Sequence, residues 1–418
     1  MSKTLKVLFK KKRKILADCF RYFRYLSCIP LYYLFRLLPL QNKVVASSFR
    51  GKKYLDNPKY IIEGLYKMNL DLDIVWIKNK EYNYNYPSFI RTIHFYSYWR
   101  KTYELATAKV WIDANRIEGN IRKRKGQLFI ETWHGGLGIK KIQLDVASGP
   151  LKPWEIKEIK NTSKLADLFI SNSGFLTQVY RSAFNYKGKV WNCGYPKSDI
   201  LLKANQSINL KKIRDFYNLE ENIKIFLYAP TFRKSLKTTG FDFTPYDINF
   251  HKLHKELEST WKGKWVILVR WHPSMIRETE HIKHIYGDNI LNASHYPDTQ
   301  ELILGCDAFL SDYSSALFDA ALCGKPCFIF AVDFDDYKKE QGVYYNLDEL
   351  PFSYAENNEQ LLENINHFNN DSYQNSWDEF KKKTRLNETG HATEDIINVI
   401  DDFMHGKTDV LKMIEDDC

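Results

Sequence analysis

From about residue 43 onward, short apolar runs alternate with longer stretches whose apolar residues recur at helical spacing. The runs KVVASSF (43–49), LDIVWIKN (72–79), AKVWIDAN (108–115), QLFIETW (127–133), DLFISNS (167–173) and KVWNCGYP (189–196) predict strands. Between them, DNPKYIIEGLYK (56–67) predicts a helix with Asp56 or Asn57 as its cap and Pro58 at its first position. PWEIKEIKNTSKLA (153–166) and SGFLTQVYRSAF (173–184) predict two more helices. The stretch LLKANQSINLKKIRDFYNLEEN (201–222) is polar, helical and free of strands, which places a domain boundary near residue 205. A second set of strands then follows in IKIFLYAP (223–230), KWVILVRWHP (264–273), NILNAS (289–294), AFLSDYSS (308–315) and PCFIFAVD (326–333). TEDIINVIDDFMHGK (393–407) predicts a last helix with Thr393 as its cap.

Alternation of β and α in two halves predicts an α/β protein with two doubly wound, Rossmann-like sheets. At 418 residues the chain is long enough for two cores. The expected division is a segment 1–42, domains 43–205 and 206–392, and a closing helical segment 393–418. Ligands of such sheets bind beyond the carboxyl ends of the strands. With two domains facing each other, the cleft between them is the expected site.

Charge changes this picture at one end only. Residues 1–53 hold 14 Lys or Arg and one acid, Asp18, whereas the rest of the chain carries 47 basic and 50 acidic residues. A nucleic-acid binder would spread its basic residues over a face of the folded body, so nucleic acid is not an expected partner. The basic segment instead suits an anionic membrane surface. Its longest uncharged run, residues 25–35, contains Pro30 and falls short of the roughly 20 residues that a spanning helix needs. No small-residue cleavage site follows it. An interfacial pair of amphipathic helices is expected, and with it a peripheral place on the cytoplasmic face of the membrane. The plainer alternative is a helix packed on the protein's own body. On the interfacial reading, residues 1–40 are dispensable for folding. The seven cysteines, at 19, 28, 193, 306, 323, 327 and 418, form no CxxC pair, which argues against zinc or redox sites and for reduced thiols.

The strand ends carry a non-random set of polar residues. QLFIETW runs into His134, Gly135 and Gly136; KVWNC into Gly194, Pro196, Lys197 and Asp199. IKIFLYA runs into Pro230, Thr231 and Arg233; KWVILV into Arg270, His272 and Pro273; AFLS into Asp312, Ser314 and Ser315. Cations and hydroxyls gathered at one cleft describe an anion site, with phosphate the natural occupant. Ser314 and Ser315 precede a predicted helix, so they are caps or, with the free N–H groups there, phosphate ligands. Asp319 lies four residues past Ser315 on the same helix face, within reach of the same ligand. Strand alternation would point Arg270 and His272 the same way. The GxxxxGK and GxGxxG loops are absent, and no DxD stretch reads as flanked by strand residues in the way that recruits a divalent metal, so neither cofactor nor metal is expected.

Taken together, FRGKKYLDNPKYIIEGL, ETWHGGLGIKKI, CGYPKSDIL, YAPTFR, RWHP and SDYSSALFDAALCGKPCFIF resemble, in order and spacing, the CDP-glycerol glycerophosphotransferase family of teichoic acid and capsule enzymes. The resemblance covers roughly residues 43–400. It implies a GT-B-type fold and transfer of a polyol phosphate from CDP-glycerol or CDP-ribitol to a hydroxyl of a lipid-linked or polymeric acceptor, with CMP leaving. By motif it implies a donor site of His134, Gly135, Gly136, Leu137, Gly138, Lys197, Pro230, Thr231, Arg270, Trp271, His272, Ser314, Ser315 and Asp319. His134 would be the catalytic base, with His272 the second catalytic residue, stabilising charge beside Arg270 and Lys197. The chain departs from the family pattern at Gly136, where Thr is usual, and at Lys197, where Arg is usual. It also lacks the long N-terminal region of the large polymerases, which suits a primase-like or short capsule enzyme. A homo-oligomer is compatible with all of this. Competing readings are a GT-B glycosyltransferase or epimerase acting on a nucleotide sugar, and a catalytically inactive membrane scaffold.

Overall fold

The computed structural model describes residues 20–414, except 21, 69–70, 80–84, 148–150, 204–205, 234–242, 277 and 408. The basic cluster at residues 10–14, Cys19 and Cys418 lie outside the described residues. Seven strands build the first sheet: β1 (Gln41–Ser47), β2 (Asp73–Lys78), β3 (Arg91–His94), β4 (Ala108–Asp113), β5 (Leu128–Glu131), β6 (Leu168–Ser171) and β7 (Lys189–Asn192). Six build the second: β8 (Lys224–Tyr228), β9 (Trp265–Val269), β10 (Ile290–Asn292), β11 (Ala308–Ser311), β12 (Cys327–Phe330) and β13 (Ser353–Ala355). Their orders are β3-β2-β1-β4-β5-β6-β7 and β10-β9-β8-β11-β12-β13.

Every pairing between these strands is parallel. Sheets of this kind are covered by helices on both faces, so their strands become continuous apolar runs. Strands β5, β6, β9, β11 and β12 are accordingly buried at every position. Strand order reverses between β1 and β4 and between β8 and β11, and these two switch points open toward each other.

Two edge strands, β3 and β13, are additional to the sequence expectation. Their sequences RTIH and SYA are short and half polar, because an edge needs little apolar surface. Helix Asp56–Lys67 has the expected span, but Leu55 stands at its cap position and the Asp56 carboxylate accepts the Asn57 N–H at 2.9 Å. Thr393 is not the cap of the last long helix, Ala392–Met404. His391 occupies that position without a side-chain capping bond, and Asp199, far away in sequence, accepts the N–H groups of Ala392 (3.1 Å) and Thr393 (2.7 Å). This last helix belongs to the first core. Ile396, Ile397, Ile400 and Met404 pack among the residues of the first sheet. Gly64 makes room for it, since a Cβ there would lie 2.3 Å from Ile397 Cδ1.

The described part of the expected N-terminal helix pair is one helix, residues 22–35, which runs through Pro30. Its inner face is part of the first domain. Cys28 and Tyr32 are fully buried in the first core, with Tyr25 and Phe35 against it. Asn120 donates to the Tyr25 carbonyl (2.7 Å), and Arg124 donates to the carbonyls of Arg36 (2.7 Å) and Leu38 (2.9 Å). The expectation that residues 1–40 can be removed without harm is therefore corrected: their loss would uncover the core. The outer face is open, with Tyr22, Phe23, Leu26, Tyr33, Leu34 and Leu37 exposed. No described helix is long and apolar enough to cross a membrane.

Candidate active site

Strand β1 ends at the first switch point in a strained turn. Phe49, Arg50 and Gly51 all have positive φ, at 48°, 56° and 75°. Gly51 is the one residue of the three that must lack a side chain, because a Cβ would lie 2.8 Å from the Ile77 carbonyl oxygen. Trp133, just past β5, is also left-handed at φ 50°. For non-glycine residues such geometry costs about 1–3 kcal/mol each and is kept where surrounding groups fix it. Here they do: Glu131 accepts the Trp133 N–H at 3.0 Å, and Asp113 accepts the Asn115 N–H at 2.9 Å. Asp113 and Glu131 are register partners on β4 and β5. Burial pushes both carboxyls well above the usual range; Glu118 raises Asp113 further, and Asp113 does the same to Glu131.

These two loops set His134. Its Nδ1 lies 2.8 Å from the Ala114 carbonyl, and its ring packs between Trp133 and Phe49 at centroid distances of 4.2 and 5.1 Å. A carbonyl oxygen accepts, so Nδ1 carries the hydrogen and Nε2 keeps its lone pair. Burial lowers the His134 pKa to about 4, against the Ala114 bond, and the cations Lys140, Lys197 and Lys53 lower it too. His134 is thus a neutral acceptor.

His272 enters from the other domain, beyond β9. Its Nδ1 accepts the Ser274 N–H at 3.2 Å, which leaves the hydrogen of the neutral ring on Nε2. Its ring stacks on Phe232 at 5.9 Å. His134, His272, Thr231, Phe232, Lys140, Lys141 and Gln143 line one cleft of about 350 Å³. Thr231 is held by its N–H on Asp312 at 2.8 Å, and its buried hydroxyl has no protein partner. A small recess of about 40 Å³ adjoins the cleft, walled by Gly135, Gly136, Gly138 and Ser315.

The remaining expected residues fall in different places. Lys197 and Asp319 pair with each other at 3.2 Å, across the domain boundary, and Gln300 also donates to Asp319 at 3.3 Å. Arg270 and His272 do not point together, because the strand ends at Val269. Arg270 donates to the carbonyls of Ala293 (2.9 Å) and Tyr296 (2.7 Å), and its charge helps burial to lower the ammonium pKa of Lys53 in the facing domain. Leu137 and Trp271 are core side chains, with the Trp271 indole N–H on the Tyr286 hydroxyl at 2.7 Å. Pro230 is buried beside Thr231. Ser314 is a cap in its own right, its hydroxyl accepting the Ala316 N–H at 3.2 Å, whereas Ser315 makes no capping bond. Arg233 is structural: Asp312 (2.7 Å) and Asp333 (2.6 Å) hold it in a buried cluster under the loops.

Of the glycines beside His134, only Gly136 is required sterically, since a Cβ there would lie 2.9 Å from Asn172 Nδ2. The same Asn172 amide donates to Glu388 at 2.9 Å. A threonine at 136 would need this link to move.

Sequence reasoning missed Asp113, Glu131, Lys53, Lys140, Lys141 and Phe232. Lys140 and Lys141 stood in the quoted GIKKI; the two acids are hidden inside apolar strands, where nothing local marks them. Among the described residues no group of His, Cys, Asp and Glu could hold a metal ion.

Curated relatives and a solved structure resemble this chain. The chain is 26% identical over 410 residues to the teichoic acid poly(glycerol phosphate) polymerase of Bacillus subtilis, covering 95% of this chain and 52% of that one. It is 28% identical over 348 residues to the teichoic acid glycerol-phosphate transferase of Staphylococcus aureus, covering 80% of this chain and 86% of that one. The chain thus spans about half the length of the Bacillus polymerase. The solved structure of the wall teichoic acid polymerase TagF superposes with a TM-score of 0.78 at 26% identity, covering 94% of this chain and 99% of that one. The two facing sheets are therefore the GT-B-type arrangement of that protein. The model of the CDP-Glycerol:Poly(glycerophosphate) glycerophosphotransferase family matches residues 31–402, which takes in both sheets, both histidines and most of the last long helix, and to that family the chain belongs.

Proposed function

We propose that this protein transfers glycerol phosphate, or a related polyol phosphate, from a CDP-activated donor to a hydroxyl of a lipid-linked or polymeric acceptor in teichoic acid or capsule synthesis. The observation that carries the reading is the opposed pair of imidazoles: His134 with an open acceptor nitrogen, His272 with a donor nitrogen, in one cleft between the two domains. In-line transfer needs both, one to take a proton from the attacking hydroxyl and one to meet the charge on phosphate.

The acceptor oxygen attacks the phosphorus that bears glycerol. A new P–O bond forms, the P–O bond to CMP breaks, and the hydroxyl proton passes to His134 Nε2. The His272 Nε2–H, the unpartnered Thr231 hydroxyl and the Ser315 recess stabilise the phosphate oxygens. A pKa of about 4 is low for a base, but the cause is burial among cations. The arriving pyrophosphate offsets those cations and so raises the pKa of the imidazole toward the working pH, where a base is most effective.

The lipid-linked acceptor gives the N-terminal helix a role. Its exposed Tyr22, Phe23, Leu26, Tyr33, Leu34 and Leu37 suit a bilayer interface, and the basic residues of this segment suit anionic headgroups. The protein would lie on the cytoplasmic face as a peripheral enzyme.

The test is direct. Purified full-length protein is incubated with CDP-glycerol, CDP-ribitol or a UDP-sugar, with and without lipid acceptors, and nucleotide release is followed. CMP release that depends on acceptor supports the reading. UDP release, or no turnover with any donor, overturns it in favour of a glycosyltransferase or a scaffold.

A further inference from the structure

The cleft is continuous, on the first-domain side, with a patch that the donor site does not use. Gln143 lines the cleft, and its side-chain oxygen accepts from Arg116 at 3.2 Å. The Arg116 guanidinium lies 5.8 Å from the centre of the Trp154 ring, and that of Arg50 lies 5.6 Å from it. Trp154 is 48% exposed, an uncommon cost for an indole unless something covers it. Arg50 is delivered to this spot by the left-handed turn after β1, so backbone strain at the switch point aims a guanidinium at the patch. The cations here are matched by acids: Glu158 pairs with Arg50, and Glu155 (3.3 Å) and Glu158 (3.8 Å) pair with Arg116.

We infer that Trp154, Arg50 and Arg116 form a subsite for a sugar ring of the acceptor. A pyranose has an apolar C–H face and a rim of hydroxyls. The indole packs on the first, while planar guanidinium, carboxylate and amide groups make paired hydrogen bonds to the second. The charge balance selects this ligand over a phosphodiester. A phosphate placed here would meet two carboxylates and two guanidinium groups already neutralised, whereas an uncharged ring needs no net charge. The cleft beside Lys140 and Lys141 is the place for phosphates. The inference rests on the transfer reading above: it puts a saccharide at the acceptor end, with its reacting hydroxyl toward His134.

Binding is measured without turnover, by saturation-transfer NMR and calorimetry on the full chain. The probes are methyl glycosides of glucose, galactose, mannose and their N-acetylated amino sugars, as mono- and disaccharides. Wild type should bind at least one of them. Trp154→Ala should weaken that binding about tenfold or more, and Trp154→Phe should restore most of it. Affinity for CDP-glycerol should be the same in all three proteins. In transfer assays, Trp154→Ala should raise KM for a sugar-terminated acceptor and leave KM for one ending in glycerol phosphate unchanged. The subsite is refuted if wild type binds no saccharide, if Trp154→Ala binds it equally well, or if the glycerol phosphate acceptor suffers as much. Saccharide binding lost on Trp154→Ala, with no CMP released from any donor, would keep the subsite and remove the transfer reading.

Discussion

Lys197 and Asp319 come from different domains and meet at 3.2 Å, with side chains only 8% and 10% exposed. Each separately reads as a residue of the donor site; together they are a strut that ties helix Pro196–Lys203 to helix Ala316–Leu322. Lys197→Met should therefore destabilise the protein by about 3–5 kcal/mol, since it strands a buried carboxylate. Lys197→Met combined with Asp319→Leu should recover most of that loss. Urea denaturation of the three variants checks this, and equal losses in the single and double variants would refute it.

His134→Gln should lower turnover by about 10²–10⁴-fold, the usual worth of a general base. The fold should be intact, since glutamine can still donate to the Ala114 carbonyl. Residual CMP release above about a tenth of wild type would remove His134 from the role.

The lowered pKa of His134 also has a signature in stability. Its unfolded value is near 6.5 and its folded value about 4, so the unfolded chain binds the proton more readily between them. This group's contribution is complete above pH 6.5 and is lost as pH falls toward 4, up to about 3 kcal/mol in all. Other groups run the opposite way: burial raises Glu388 to about 8 and Asp56 to about 6. The measurement is thus a difference, wild type minus His134→Gln, followed by chemical denaturation across pH 4–8. A flat difference would mean that the imidazole is as solvated folded as unfolded.

The two serines should separate. Ser314→Ala removes the cap on Ala316 and should cost about 1 kcal/mol of stability. Ser315→Ala removes no protein bond and should leave the melting temperature unchanged. It should instead weaken CDP-glycerol binding, by about 1.5–3 kcal/mol for a hydrogen bond to a charged group. Calorimetry and thermal melts on both variants test the split.

Three substitutions on the outer face of the N-terminal helix, Tyr22→Ser, Phe23→Ser and Leu26→Ser, should together reduce sedimentation with anionic vesicles and leave the melting temperature near wild type. Tyr32→Ala, on the inner face, should do the reverse and cost about 3–5 kcal/mol of stability. Vesicle binding unaffected by the outer-face triple variant would move the membrane contact elsewhere.

The strands and their order of appearance were legible because parallel sheets buried on both faces leave continuous apolar runs, as in IKIFLYA and KWVILV. The edge strands β3 and β13 were not, since an edge needs no such run. His134, His272 and Thr231 could be placed at one cleft from their positions at strand ends. What they bond to could not: the Ala114 carbonyl that fixes the tautomer of His134 is contributed by backbone, which every residue has. The direction of Arg270 was misjudged for a related reason. Alternation holds only while the ladder lasts, and it stops one residue before Arg270. Long-range partners such as Asp199 with Ala392 leave no local pattern at all.

The placement of helix Ala392–Met404 reverses the order in which the two halves can be completed. A ribosome delivers the seven strands of the first sheet early, but Ile396, Ile397 and Ile400 emerge only after the whole second sheet. Until then the groove along helix Asp56–Lys67, opened by Gly64, is unfilled and apolar. The half made first is therefore finished last, and during synthesis it is the one that offers chaperones a surface to hold.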